Sequence, residues 1–462
     1  MDGSTRINPY LAGNFAPVAS EDDFDLEITG EIPKGLHGAF YRNGPNPQFD
    51  PGSDYHWFGG DGMIHGFYVE NGKVSYRNRY VRTNKYNQEN AAGRRLFGTF
   101  GNPMTTDPSV VGQDSGVANT NIVWHAGKLL ALEEGHMPTE LDPVSLDTRG
   151  YATDYQGKVT AHPKIDPESG EMVWFAYSAG AMPFATTCSY GVTDATGRVI
   201  RRDDFEAPYA SMVHDFLVTR NYALFPILPL TGSMQRAMTG LPAYAWEPEK
   251  GAYVGVMARN AGVETLRWFQ TEACYVFHPM NAWEDGDLIH AEVMEYPTAP
   301  LFPKADGSPL PNAAARLVRW TFDLKGDSNA IKRTQLDDLA GEFPRLDERR
   351  AGLSYRHGYF AGNKKKPGAV LFDCLAHIDL KTGVRSEYDF NAGDAPGEPV
   401  FVPRSPDAPE GDGWLVALVY RAAEDRTDFV VFDAQNVKAG PVGTARMPRR
   451  VPFGFHGNWR QM

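Results

Sequence analysis

Four histidines in this 462-residue chain share one local setting: "VTAHPKID" (His162), "SMVHDFLV" (His214), "CYVFHPMNAW" (His278) and "PFGFHGNW" (His456). Each lies in a mostly apolar run and is followed at once by Pro, Asp or Gly, as at the inner end of a strand. Neutral imidazoles gathered without a carboxylate or thiolate suit a borderline transition metal rather than Ca²⁺ or Mg²⁺. Zinc more often takes mixed nitrogen and sulfur ligands. Iron(II) held by four imidazoles would keep positions open for O₂ and a substrate. Ligand histidines usually pass their other N–H to an outer carboxylate. The acids with apolar or Pro neighbours are Glu134 ("LLALEEG"), Glu342 ("AGEFPRLD") and Glu398 ("PGEPVFVPR"). The plain alternative is a set of satisfied structural histidines and solvated glutamates. His65, His290 and His377 read that way in strand-like runs, and His37, His125 and His136 sit in polar or turn contexts.

What would bring such residues together is set by the elements between them. The chain carries 47 Gly and 34 Pro, spread along its length rather than pooled in a linker. Between them lie short runs rich in β-branched and aromatic residues, such as 128–134, 171–178, 287–296, 316–324, 369–380 and 413–421. Acidic or Asn-containing turns closed by Gly recur, as in "VENGKVSY" (69–76) and "IDLKTGVRSEY" (378–388). This is hairpin chemistry. Helical periodicity is confined to short stretches such as 233–240. The pattern predicts an all-β fold: a propeller, a sandwich pair or a β-helix, with irregular turn spacing against a solenoid. A seven-bladed propeller would allot roughly 66 residues to a blade. The histidines are 52, 64 and 178 residues apart, about one blade, one blade and two or three. Equivalent inner-strand positions converge on a propeller axis. Four of twelve histidines can be picked to suit a spacing, however, so spacing alone leaves both readings open.

A net charge of −13, with only short cationic runs at 363–367 and 446–450, argues against nucleic acid as the main partner. Cys188, Cys274 and Cys374 are far apart with no CxxC pair, which argues against a disulfide framework and a thiolate metal site. The N-terminus has no signal-peptide pattern, and no apolar run reaches the roughly 18 residues of a membrane span, so the expected compartment is the cytoplasm.

Stretches along nearly the whole chain resemble the carotenoid cleavage oxygenases, and within them the bacterial branch that includes lignostilbene dioxygenases. They include "GAFYRNGPNPQFDP" (38–51), "HWFGGDGMIHGF" (56–67), "AHPKIDPESGEM" (161–172), "MVHDF" (212–216), "FHPMNAWEDG" (277–286), "EFPRLDER" (342–349), "GEPVFVPRSPDAPEGDGW" (397–414) and "GFHGNW" (454–459). The resemblance implies a seven-bladed β-propeller with non-haem iron(II), Fe²⁺, on its axis. It implies a single domain over 1–462 with residues 1–30 as an N-terminal arm, the ring being closed by terminal strands. By motif, His162, His214, His278 and His456 match the iron ligands. Glu134, Glu342 and Glu398 match the outer carboxylates, oriented toward His214, His278 and His456 in that order. The activity implied is O₂-dependent cleavage of a conjugated C=C bond of a stilbene-type olefin or apocarotenoid into two carbonyl products, with no organic cofactor. The loop 225–246, with Met234, Met238 and Leu241, would line the tunnel mouth, touch membrane lipid or pack as an ordinary rim loop. Oligomeric state has no signature in the sequence.

The chain departs from that branch at its substrate contacts. Enzymes acting on 4-hydroxystilbenes resemble one another in a Tyr and a Lys that hold the phenol oxygen. The corresponding positions here are Phe100 ("LFGTFGNP") and Glu133 ("LALEEG"). Phe100 cannot hydrogen-bond the oxygen, and an ionised Glu133 would repel a phenolate while still accepting a bond from a neutral phenol. Phe58 ("HWFGG") keeps an aromatic wall for a flat substrate. The competing reading is a non-catalytic propeller that binds an apolar polyene or a partner protein.

Overall fold

Asn71 (φ 52°) and Gly72 (φ 76°) show how the sheets are made. Both central residues of this two-residue turn are left-handed, which matches the twist of the hairpin joining Gly62–Glu70 to Lys73–Tyr80. The computed structural model describes residues 8–52, 55–101 and 103–462. Among the described residues such hairpins build seven antiparallel sheets of four or more strands, the blades of a propeller, and one two-stranded ribbon.

In chain order the second blade runs from Asn121–His125 to Thr148–Tyr151, the third from Lys164–Ile165 to Val199–Glu206, and the fourth from Leu217–Val218 to Arg267–Thr271. The fifth runs from Tyr275–Asp285 to Lys332–Gln335, the sixth from Gly341–Leu346 to Val384–Asp389, and the seventh from Ala395–Pro396 to Pro441–Arg446. The first blade is built on Gly38–Pro45, and the C-terminal strand Gly457–Gln461 pairs along it next to the axis. The N-terminal segment supplies outer strands to two blades: Asp23–Asp25 to the first and Glu27–Gly30 to the seventh. Both chain ends therefore close the ring. The core lies between blade faces, as where Phe67 stacks on Phe429 at 5.3 Å across the seam of the first and seventh blades.

Three expectations are adjusted. The described part of the stretch read as an arm, 8–30, is tied into the ring: besides its two outer strands, Tyr10 stacks on Trp57 at 5.7 Å and Phe15 packs on Phe453 at 5.5 Å. The run 369–380 pairs as a strand only over Cys374–Asp379, because the Asn363 side-chain amide takes the Ala369 and Leu371 carbonyls at 3.2 and 3.0 Å. The helix Asn84–Ala92 has no counterpart in the sequence reading. It has no apolar stripe to reveal it. Thr83 caps its start through the Tyr86 N–H, and Gly93 ends it in the left-handed conformation (φ 67°).

Charge pins that helix. Lys85 Nζ lies 2.7 Å from Asp61 and 2.8 Å from Glu89, all three side chains being nearly buried. Glu89 also accepts the Leu96 and Phe97 N–H groups, so the triad fixes the segment that leads to Phe100. Lys85→Met leaves two carboxylates buried without their cation. It is expected to destabilise the fold by roughly 3–5 kcal/mol in chemical denaturation; an unchanged midpoint would remove the triad from this role.

Candidate metal centre

Each of the seven blades delivers one residue toward the axis. The first, third, fourth and fifth give His456, His162, His214 and His278, and the second, sixth and seventh give Glu134, Glu342 and Glu398. His456 directly precedes the closing strand Gly457–Gln461. Its neighbours Phe453 and Phe455 are buried, Phe455 lying 4.5 Å from the Trp57 ring. The backbone turns there at Gly454, where a Cβ would come within 1.8 Å of the buried Arg42 guanidinium; that guanidinium donates to the Pro452 carbonyl at 2.7 Å. His278 lies where the pairing of Tyr275–Asp285 slips register, and Glu342 lies at a similar slip in Gly341–Leu346. Such irregularities re-aim side chains.

All four rings are buried, and one nitrogen from each falls within 4.8 Å of the others. Nε2 of His214 is 3.1 Å from Nε2 of His162 and 3.1 Å from Nε2 of His278, and the His278 and His456 ring centroids are 4.7 Å apart. The opposite edges of three rings are committed. His214 Nδ1 bonds Glu134, His278 Nδ1 lies 2.5 Å from Glu342, and His456 Nδ1 lies 3.0 Å from Glu398. A carboxylate only accepts, so each Nδ1 carries a proton, and in the neutral form of such a ring the bare Nε2 lone pair faces inward. Lone pairs facing one another at 3.1 Å in a buried site repel, and a cation held between them removes the repulsion. The donor set therefore fits a metal ion. It is the only group of this kind among the described residues.

The carboxylates are themselves held. Tyr177 donates to Glu134 at 2.7 Å, the Phe343 N–H to Glu342 at 2.8 Å, and the Gly457 N–H to Glu398 at 2.7 Å. Burial works against ionised Glu398, but Arg345, 3.2 Å away, and His456 outweigh it and bring its carboxyl down to about 2. His162 differs from the other three. Its Nδ1 lies 3.5 Å from Asp215, whose other oxygen pairs with Lys164 at 2.7 Å. Burial, then the neighbouring imidazoles, push His162 well below its ordinary value. For His278 burial is likewise the main cause of a lowered value, partly offset by Glu342, whereas in His214 Glu134 outweighs burial and raises it.

A cavity of about 980 Å³ opens onto the centre. His214, His278 and His456 line it, and so do Phe58, Phe100 and Glu133. Phe58 meets Phe100 edge-on at 5.7 Å, and Phe100 stacks on His56 at 4.9 Å and Tyr244 at 6.1 Å. Burial pushes His56 down to about 4, so it serves here as a neutral ring. The loop 225–246 gives Tyr244 to this wall while Met238 and Leu241 are exposed. The sequence reading passed over His136, which lines the cavity with Nδ1 2.6 Å from Glu133. It also passed over Tyr177 and Asp215. His136 stands three residues after Glu133, the one signal available for the first. Tyr177 reaches Glu134 from 43 residues away, which no local pattern reports.

The profile of a family described as retinal pigment epithelial membrane protein matches residues 15–461. Isoeugenol monooxygenase of Pseudomonas putida is 41% identical over 472 residues, covering 98% of this chain and 98% of the relative. Lignostilbene-alpha,beta-dioxygenase isozyme III of Sphingomonas paucimobilis is 38% identical over 475 residues, covering 97% and 96%. The crystal structure of Pseudomonas brassicacearum lignostilbene dioxygenase superposes with a TM-score of 0.95 at 35% identity, covering 99% of both chains. Those relatives are named as oxygenases over their full length, and a non-catalytic binder is not favoured. The chain is an enzyme of the oxygenase class, and it belongs to the carotenoid oxygenase family, here represented by the retinal pigment epithelial membrane protein profile.

Proposed function

We propose that His162, His214, His278 and His456 hold iron(II) and that the enzyme cleaves a conjugated C=C bond of a stilbene-type aromatic olefin with O₂. The observation that carries this reading is the inward-facing nitrogen-only donor set, three of whose rings are locked by carboxylates as bare Nε2 donors. Such a set suits a borderline transition metal. Iron(II) bound there supplies the activation of O₂ by which an alkene and one O₂ become two carbonyl compounds, both oxygen atoms being used and no external reductant needed.

The chain's own residues do the rest. Glu134, Glu342 and Glu398 fix the tautomer and aim of three rings. The faces of Phe58 and Phe100 give a flat substrate somewhere to stack. The apolar wall around them, with Phe277, Phe302 and Phe455, keeps bulk water from the double bond. Names of relatives acting on isoeugenol and lignostilbene support the aromatic olefin. An apocarotenoid is the second reading, favoured by Phe100, which offers no hydroxyl to a phenol. No helix among the described residues is long and apolar enough to cross a membrane, and the exposed Met238 and Leu241 are where a peripheral lipid contact would fall. Three buried, unpaired cysteines support the cytoplasm as the compartment.

The test is product analysis of iron-loaded protein with a stilbene under ¹⁸O₂, with the aldehydes reduced at once to alcohols to stop exchange with water. Label in both products is expected. Label in one only would make the reaction a monooxygenation, and no iron- and O₂-dependent product from stilbenes or apocarotenoids would overturn the reading.

A further inference from the structure

Three of the four imidazoles give their Nδ1 proton to a buried carboxylate, which makes each ring a stronger donor to a metal. Strong donors and nearby negative charge both favour a trivalent ion over a divalent one. Glu134 and Glu342 meet no ion-pair partner except their own histidines among the described residues, while Glu398 lies 3.2 Å from Arg345. The fourth ring is treated differently. His162 Nδ1 is 3.5 Å from Asp215 Oδ2, against 2.5 Å for His278 with Glu342 and 3.0 Å for His456 with Glu398. Lys164 draws Asp215 the other way. Its Nζ lies 2.7 Å from Asp215 Oδ1, which also accepts the Phe216 N–H at 2.6 Å.

The fold makes this meeting. Lys164 stands two residues after His162 and opens the strand Lys164–Ile165 of the third blade, and Asp215 directly follows His214 at the entry to the fourth. The Asp215 side chain is 4% exposed, so Lys164 and not water answers its charge. As a pair the two are neutral, whichever of them holds the proton. Four buried carboxylates thus surround four neutral imidazoles, and two cations, Arg345 and Lys164, oppose them. Two negative charges remain. A divalent ion cancels them, whereas a trivalent ion leaves a positive charge buried, which is costly. Glu348, the other partner of Arg345, is 56% exposed and its charge is screened by solvent.

We propose that the Lys164–Asp215 pair, acting through His162, sets the redox potential of the iron and holds the resting enzyme ferrous. The proposal rests on the iron(II) reading above and adds how that oxidation state is kept. Cleavage by O₂ that uses no external reductant has no means of recovering a centre that has drifted to iron(III) between turnovers. Lys164 opposes that drift in two ways. It cancels the fourth carboxylate, and it keeps Asp215 from taking the His162 N–H closely, so that His162 is a weaker donor than the other three rings. Neither side chain of the pair lines the cavity, so substrate binding does not depend on them.

The test is an anaerobic potentiometric titration of iron-loaded protein, with the ferric signal followed by electron paramagnetic resonance. Lys164→Met removes the cation. It is expected to raise the ferric-to-ferrous ratio at a fixed potential about tenfold, which is a midpoint about 59 mV lower. Asp215→Asn can still accept the Phe216 N–H but leaves Lys164 unopposed, so its midpoint should rise by a similar amount. The double variant Lys164→Met/Asp215→Asn should return close to the wild type, and Lys164→Arg should match it. A packing role would not move the two single variants in opposite directions. Circular dichroism and iron per chain should stay those of the wild type; should Lys164→Met fail to fold, the upward shift in Asp215→Asn decides alone. Midpoints that ignore the substitutions, shifts of the same sign, or iron lost from both single variants overturn the proposal and leave the iron reading standing. Wild-type protein that takes up no iron overturns both.

Discussion

His278→Ala is expected to abolish iron binding and turnover. His278 is central to the cluster: its Nε2 lies 3.1 Å from that of His214, and its ring stands 4.7 Å from His456 and 5.3 Å from His162. Removing it takes away one inward lone pair and leaves Glu342 buried without the Nδ1–H that answers its charge. A metal site cut from four nitrogens to three, with a stray carboxylate nearby, loses both affinity and the arrangement that activates O₂. Iron per chain, measured after dialysis against a weak chelator, should fall to background. Cleavage should fall below about one-thousandth of the wild-type rate. Retention of iron and full activity would mean that the imidazoles converge for some other reason.

Glu342→Gln is the second large effect, and it separates position from charge. Gln has the same shape and can still accept from His278 Nδ1 and from the Phe343 N–H, so the ring should stay in place. What disappears is the negative charge that makes the imidazole a better donor. Iron affinity or turnover should drop about 10- to 100-fold, with circular dichroism unchanged. An unchanged rate with full iron would make Glu342 a packing residue.

Much of this was legible in the sequence, for physical reasons that differ from residue to residue. The hairpins could be read because "VENGKVSY" places Asn71 and Gly72, two residues that tolerate left-handed backbone, between alternating strands. The four histidines could be read as a style but not as a site, since only ring closure makes His456 a neighbour of His162, 294 residues away. Glu134, Glu342 and Glu398 stood out as acids with apolar or Pro neighbours, and the resemblance to a known family assigned each of them to a particular histidine. The helix Asn84–Ala92 escaped because caps and a buried ion triad hold it, and neither leaves a periodic trace. His136 escaped because a histidine in a polar turn is ordinary until the fold shows that the turn forms the wall of a cavity.

The most direct measurement is anomalous diffraction at the iron edge from crystals of protein loaded with iron(II). One peak per chain is expected, on the axis and within bonding distance of a nitrogen of His162, His214, His278 and His456. A peak elsewhere, or iron bound in solution with no peak among these four rings, would contradict the assignment.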